Sequence, residues 1–298
     1  MLCAEGNDPL VVVAGHLDVD AAALTGLPCV VVGFGGDALD VVVADDAELA
    51  AVSAAVEAHP EAAVALALLL RDADARSIAE GVVAESATYG MLQAGADHRR
   101  WLASKSPARE SRPLTAQPRV AVQRIGDVLR ITLDRPEVHN AYDAAMRDAL
   151  VDALDVAAAD PALRVELRGS GPSFCSGGDL TEFGTASDPS VAHRIRLRRS
   201  AGRAIARVAD RVTAHVHGAC VGAGVELPAF AGRVVADPGA TFWLPELAMG
   251  LVPGAGGTVS ITRRIGRQRT ALLSLTGRGI DAVTALDWGL VDEISDEP

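Results

Sequence analysis

Twice in this chain a run with strand character ends in a turn of small residues that opens a helix: "SFCSGGDL" (173–180) and "CVGAGVEL" (220–227). Strand, glycine turn and helix in that order are α/β devices, and these two stretches restrict the fold more than any other feature. Small side chains let backbone N–H groups approach a ligand closely, and the start of a helix has unpaired N–H donors. One such turn is an ordinary way to reverse a chain. Two of them, about 45 residues apart, can place two N–H groups on one oxygen, which is what an oxyanion hole requires.

The 298 residues have room for one large domain or two ordinary ones. A hydrophobic content of 49% suffices for a packed core, and with only 3% aromatics that core must be built from Ala, Val and Leu. The longest apolar run, "AAVALALLL" (62–70), is too short to span a bilayer, and "MLCAEGNDPL" lacks a basic n-region, so neither a membrane span nor a secretory signal is expected. A net charge of −12 disfavours nucleic acid as a partner. Cys3, Cys29, Cys175 and Cys220 lack C-x-x-C spacing and read as reduced packing residues of a cytoplasmic protein. Lys105 is the one lysine among 27 basic residues, which reflects genome composition rather than function.

"KSPARESRPLTAQP" (105–118) has three prolines, mixed charges and no apolar period, so it reads as a linker with a boundary near residue 117. That divides the chain into an N-terminal α/β segment, 1–117, and a second domain, 118–298. The first is expected to run strand 41–44, helix 46–58, strand 63–70, then a helix over 78–104. The second repeats the order with strand 128–133, helix 143–158 and strand 164–168. Internal duplication accounts for this, and so does the general frequency of βαβ units. An arginine-rich helix follows over 190–212; its arginines are expected on a solvated or subunit-facing surface, the alternative being attraction of phosphates. Another glycine turn, "GAGGTVSITRRIG" (254–266), opens a further helix.

Two acidic residues stand in apolar company. Glu226 follows the second turn, and Glu246 lies twenty residues later in "FWLPELAMG". Carboxylates in such surroundings are either paired to an arginine or kept as acid/base groups with raised pKa.

With these residues in view, 118–291 resembles the enoyl-CoA hydratase/isomerase (crotonase) family. "ITLDRPEVHNAYDAAM" is similar to that family's first strand and turn, "PSFCSGGDL" to its first oxyanion loop, "VHGACVGAGVELPAFAGRVVAD" to its second, and "ATFWLPELAMGLVPGAGGTVSITRRIG" to the segment bearing the second carboxylate. The resemblance implies a crotonase-type ββα spiral and hydration of an enoyl-CoA thioester. It puts the N–H groups of Gly178 and Ala223 on the thioester oxygen, Glu246 as the acid/base at Cα, and Glu226 on the water. Coenzyme A and the substrate would be held near Val138, His139 and Ala141 and by Ser176, Gly177, Asp179, Leu180, Gly222, Trp243 and Pro245. Asp179 reads as an anchor of its loop rather than an acid, His215 and His217 as packing or hydrogen-bonded residues, and His139 as a backbone contact. Trp243 fits the acyl pocket or the core equally. The resemblance implies no metal, no cofactor beyond the coenzyme A of the substrate, and a homo-oligomer, trimer or hexamer.

Two departures stand out. The second turn has Ala223 where the family most often has glycine, which restricts space but keeps the N–H. The C-terminal helical region is shortened, and 117 residues stand in front instead. These either cover the catalytic domain in place of the missing helices or form an independent domain. Isomerisation, thioester hydrolysis, a cofactor-free oxygenase step and a non-catalytic binding role remain alternatives to hydration.

Overall fold

Alternation in "VLRITL" buries Leu129, Ile131 and Leu133 and leaves the intervening residues partly exposed, which commits one face of the strand to the core. The preceding strand turns back on it through Gly126, in the left-handed region at φ +62°, and pairs antiparallel from Val120↔Leu133 to Ile125↔Val128. The computed structural model describes residues 11–13, 27–105, 118–186 and 188–296. Its strands are β1 (Val11–Val13), β2 (Val30–Gly33), β3 (Val41–Val42), β4 (Val120–Ile125), β5 (Val128–Leu133), β6 (Arg164–Gly169), β7 (Val212–Val216), β8 (Ala219–Val221), β9 (Arg233–Ala236), β10 (Thr241–Trp243), β11 (Ile280–Asp281) and β12 (Glu293–Ile294). The helices are α1 (Asp46–Ala58), α2 (Pro60–Arg71), α3 (Ile78–Gln93), α4 (Ala96–Ser104), α5 (Ala144–Ala159), α6 (Pro189–Arg198), α7 (Ala201–Ala206), α8 (Ala223–Glu226), α9 (Gly257–Thr276) and α10 (Ala282–Trp288).

A six-stranded sheet runs β12-β9-β7-β6-β5-β4, parallel except for the β4–β5 hairpin. A second sheet, β11-β10-β8, takes over beyond the end of β7 at Val216. Helix α5 starts at its cap Asp143, whose carboxylate accepts the Met146 N–H at 2.7 Å, and buries Met146, Leu150, Leu154 and Ala157 at helical spacing.

Several expectations fail. Residues 63–70 are not a strand but the middle of α2. Pro60 starts this helix and Ala and Leu favour it, while Ala62, Ala63, Ala65, Leu66, Ala67, Leu69 and Leu70 are all buried. A run apolar on every side has no period to distinguish strand from helix. With it goes the shared strand–helix–strand order of the two halves. The helix over 190–212 also divides, into α6, α7 and a turn leading to β7 at Val212, and the one over 78–104 into α3 and α4 at Gly95. The linker expected at 105–118 lies almost wholly outside the described residues.

Helix α3 fits between α6 and α9. Ser77 and Glu80 cap it reciprocally, each accepting a backbone N–H of the other. Arg196 of α6 donates to the Ser86 hydroxyl and carbonyl and lies 4.8 Å over the Tyr89 ring. One hydrophobic cluster joins Val52, Val56, Leu66, Leu70 and Leu92 to Leu247, Leu251, Val252, Ala271 and Leu275. Among the described residues no single helix is long and apolar enough to cross a membrane.

Helix α3 approaches α9 closely at Gly81, where a Cβ would fall 2.7 Å from Val259 Cγ2. Gly81→Val is therefore expected to lower unfolding free energy by about 1–3 kcal/mol, the usual cost of overpacking. Urea denaturation checks this; a midpoint equal to wild type would show that the two helices are not held at that distance.

Candidate active site

The two glycine turns lie side by side. Val221 N–H donates to the Cys175 carbonyl at 2.9 Å, and Cys175 N–H to the Ala219 carbonyl at 3.4 Å. Only glycine permits the approach at 224, where a Cβ would fall 2.3 Å from the Cys175 carbonyl oxygen. In the first loop Tyr142 bridges to either side of Gly178: its N–H donates to Gly177 O, and its carbonyl accepts Asp179 N–H. This leaves the Gly178 N–H without an acceptor among the described residues. The Ala223 N–H, at the first position of α8, is equally free.

Gly222, at φ +49°, is where the parts converge. A Cβ there would fall 2.4 Å from Glu246 Oε1 and 3.8 Å from the Gly177 Cα. Glu246 opens a short 3-10 turn, Glu246–Met249, after Pro245. Its Oε2 is shut from solvent and has no hydrogen-bond partner. Glu226, 2% exposed, accepts Ala255 N–H at 2.7 Å and Gly257 N–H at 2.8 Å, both on Oε2. No donor among the described residues engages its Oε1.

Sequence reasoning missed a third carboxylate. Glu85 of α3, 1% exposed, accepts Gly256 N–H at 2.7 Å on Oε1, and Thr258 N–H at 2.9 Å and its hydroxyl at 2.7 Å on Oε2. In the sequence it shares one helical face with Gly81 and Tyr89, four residues to either side, but nothing local marks it as part of a site. Among the described residues none of the three glutamates is paired with an arginine. Burial accordingly pushes Glu226 up to about 7 against the pull of its two N–H bonds. Burial and the neighbouring Glu226 charge push Glu85 up to about 8. Glu246 is held well above the ordinary carboxylate range, by burial first, then Glu226, then Glu85.

The other expected residues are placed as follows. His139 and Asn140 take left-handed backbone, at φ 53° and 54°. The carbonyls of Val138 and His139 accept from Ser176, and that of Ala141 from Arg135. The Asn140 amide, unnoticed in the sequence, ties this turn to Ser170, Ser173 and Phe174. Asp179 pairs with Arg135 at 3.0 Å and accepts Thr181 N–H, so it anchors the loop. Leu180 is exposed at the loop surface, and its carbonyl accepts from Lys105. His139 Nδ1 meets the Ser173 hydroxyl and His217 the Gly171 carbonyl, while His215 Nδ1 is buried without a partner. Trp243 accepts Gly222 N–H on its carbonyl, but its side chain lines a separate cavity of about 480 Å³ with Thr276, Gly279 and Trp288. Arg196, Arg199, Arg207 and Arg211 bind groups within the chain, so the solvated face expected of the arginine-rich helix holds only in part.

Helix α4 supports the Glu246 turn from below. Gly250, at φ +68°, leaves it room: a Cβ there would fall 2.8 Å from the His98 backbone nitrogen. His98 Nδ1 pairs with the Met249 carbonyl at 2.8 Å, and Trp101 meets Phe183 edge-on, beside Gly178.

Residues 123–297 match the family model for enoyl-CoA hydratase/isomerase. The chain belongs to this family. It is 34% identical over 175 residues to a 2,3-dehydroadipyl-CoA hydratase of Escherichia coli, covering 58% of this chain and 68% of that protein. A mevalonyl-coenzyme A hydratase of Aspergillus fumigatus is 33% identical over 168 residues, covering 56% and 62%. The chain thus spans about two thirds of the length of the curated relatives it matches. Among solved structures, an enoyl-CoA hydratase from Thermoplasma volcanium superposes with a TM-score of 0.56 at 31% identity, covering 61% of this chain and 73% of that one. The fold of the matched part is the crotonase fold.

A carboxyl whose folded pKa lies above its unfolded one binds more protons when folded. Its presence therefore costs stability as pH rises beyond the ordinary glutamate value of 4.5. Glu246→Gln is expected to melt higher than wild type at about pH 8, the gain closing toward about pH 5. Melting curves across that range check it; a gain independent of pH would mean that Glu246 is not held protonated.

Proposed function

We propose that the protein hydrates an enoyl-CoA thioester. The observation that supports this best is the convergence at Gly222, which sets Glu246 against two loops with free N–H groups while Glu226, tied through one oxygen, keeps the other available. In this reading the Gly178 and Ala223 N–H groups receive the thioester oxygen, and negative charge moves there as water oxygen bonds to Cβ. Glu226 takes the water's proton on Oε1, and Glu246 gives its own to Cα. Proton transfer from Glu226 to Glu246 restores the pair. The α,β double bond is consumed and one water added, with no cofactor beyond the substrate's coenzyme A. Isomerisation uses the same acid/base pair, and the family description includes it; product identification on a panel of acyl-CoA substrates separates the two.

Glu246→Gln should reduce turnover by roughly 10²–10⁴-fold, the usual contribution of a general acid or base, with acyl-CoA binding retained. Steady-state kinetics with equilibrium binding test this, and near-normal turnover would remove the assignment. Glu226→Ala should lower kcat more than it weakens binding, because its proposed partner is the water.

We also propose that the N-terminal segment completes the site. Helices α3 and α4 bury Glu85 and His98 against the segments that hold Glu226 and Glu246. Residues 118–298 alone are expected to aggregate, or to fold with little activity, because apolar surface is exposed. Sedimentation and turnover of that shortened chain decide the matter: a soluble, fully active 118–298 would make the segment an independent domain.

A further inference from the structure

Helix α3 turns Gly81, Glu85 and Tyr89 toward residues 254–259. Gly81 lets the backbone close on Val259, and the Tyr89 ring lies on Gly254, where a Cβ would fall 2.4 Å from the ring. Between them the Glu85 carboxylate spans the Gly256 and Thr258 N–H groups, and Glu226 takes those of Ala255 and Gly257. The two carboxylates thus alternate along one backbone turn. Moving either one moves donors that hold the other.

We propose that Glu85 is a positioning residue of the acid–base pair: from the N-terminal segment it fixes the 255–258 turn that orients Glu226, and it places a third carboxyl beside Glu226 and Glu246. Like charges so close do not ionise independently. Negative charge on Glu226 or on Glu85 favours the protonated form of Glu246, whose raised affinity for its proton has these two causes after burial. Among the described residues, the other titratable or charged groups facing the cluster include Tyr89 on α3, Tyr142 and Cys175 from the first loop, Arg196 from α6 beside Tyr89, Arg147 behind Tyr142, and Arg199, which lines the same cavity as Glu85. Burial keeps both tyrosines and the thiol protonated.

This inference rests on Glu246 being the proton donor of the proposed reaction, and one experiment tests the two separately. The full-length chain, labelled with carbon-13 at glutamate carboxyls, is titrated as wild type and as Glu85→Gln, with Glu226→Gln and Glu246→Gln to assign signals. The Glu246 midpoint is expected to fall by about one pH unit in Glu85→Gln. The alkaline limb of kcat on an accepted enoyl-CoA should fall with it, which loss of packing alone would not produce. An unmoved Glu246 midpoint in folded Glu85→Gln overturns the proposal. A moved midpoint in a protein that turns over no acyl-CoA upholds the place of Glu85 and rejects the reaction. If Glu85→Gln does not fold, Glu85→Asp keeps the charge, draws it back by one methylene from the 255–258 turn and leaves both catalytic glutamates in place. The Glu246 midpoint is then expected to fall in the same direction by less, and no movement there overturns the proposal equally.

Discussion

Four successive backbone N–H groups, Ala255 to Thr258, are shared between two buried carboxylates that reach them from distant parts of the chain. A helix start buried away from water needs acceptors for its unpaired donors, and a carboxylate buried among apolar residues needs donors. Each requirement meets the other here. Glu226 arrives on the short helix behind the second glycine turn, Glu85 on the long helix of the N-terminal segment. The position of α3 follows from this contact, and with α3 come α4, the support under Met249 and the aromatic contact beside Gly178.

The same arrangement explains the arginine-rich stretch. Arg196 has its guanidinium among Ser86, Tyr89 and Gln93, held by directed hydrogen bonds rather than by a carboxylate. It holds the face of α3 that packs on α6, while Glu85 reaches the 255–258 turn. Arg199, Arg207 and Arg211 close onto α5 and the loop after it. A sequence of charges at helical spacing shows that a helix is polar on one side; it does not show which neighbour uses that side.

What could be read from the sequence was whatever is encoded locally. The strand at 128–133, the helix beginning at 143 and the small-residue turns each follow from their own residues, and each appears where it was expected. The two glutamates stood out because an acidic residue in apolar company needs an explanation. Glu85 needed one as well, but its donors lie 171 and 173 residues away, and no local pattern announces a partner at that distance. The helix at Pro60–Arg71 was misread for a related reason. Residues 62–70 are apolar throughout, which erases the period that distinguishes strand from helix, because Val64 and Leu68 on the partly open side are as apolar as the buried residues.

The contact between Gly222 and Glu246 joins two positions that the sequence keeps twenty-four residues apart. A side chain of any size at 222 would occupy the space of the carboxylate oxygen, and the left-handed backbone there discourages one in any case. A glutamate at 246 thus forbids a side chain at 222 sterically, over and above the bias of the backbone there, and any residue that enlarges 222 must displace the carboxylate before it can be accommodated.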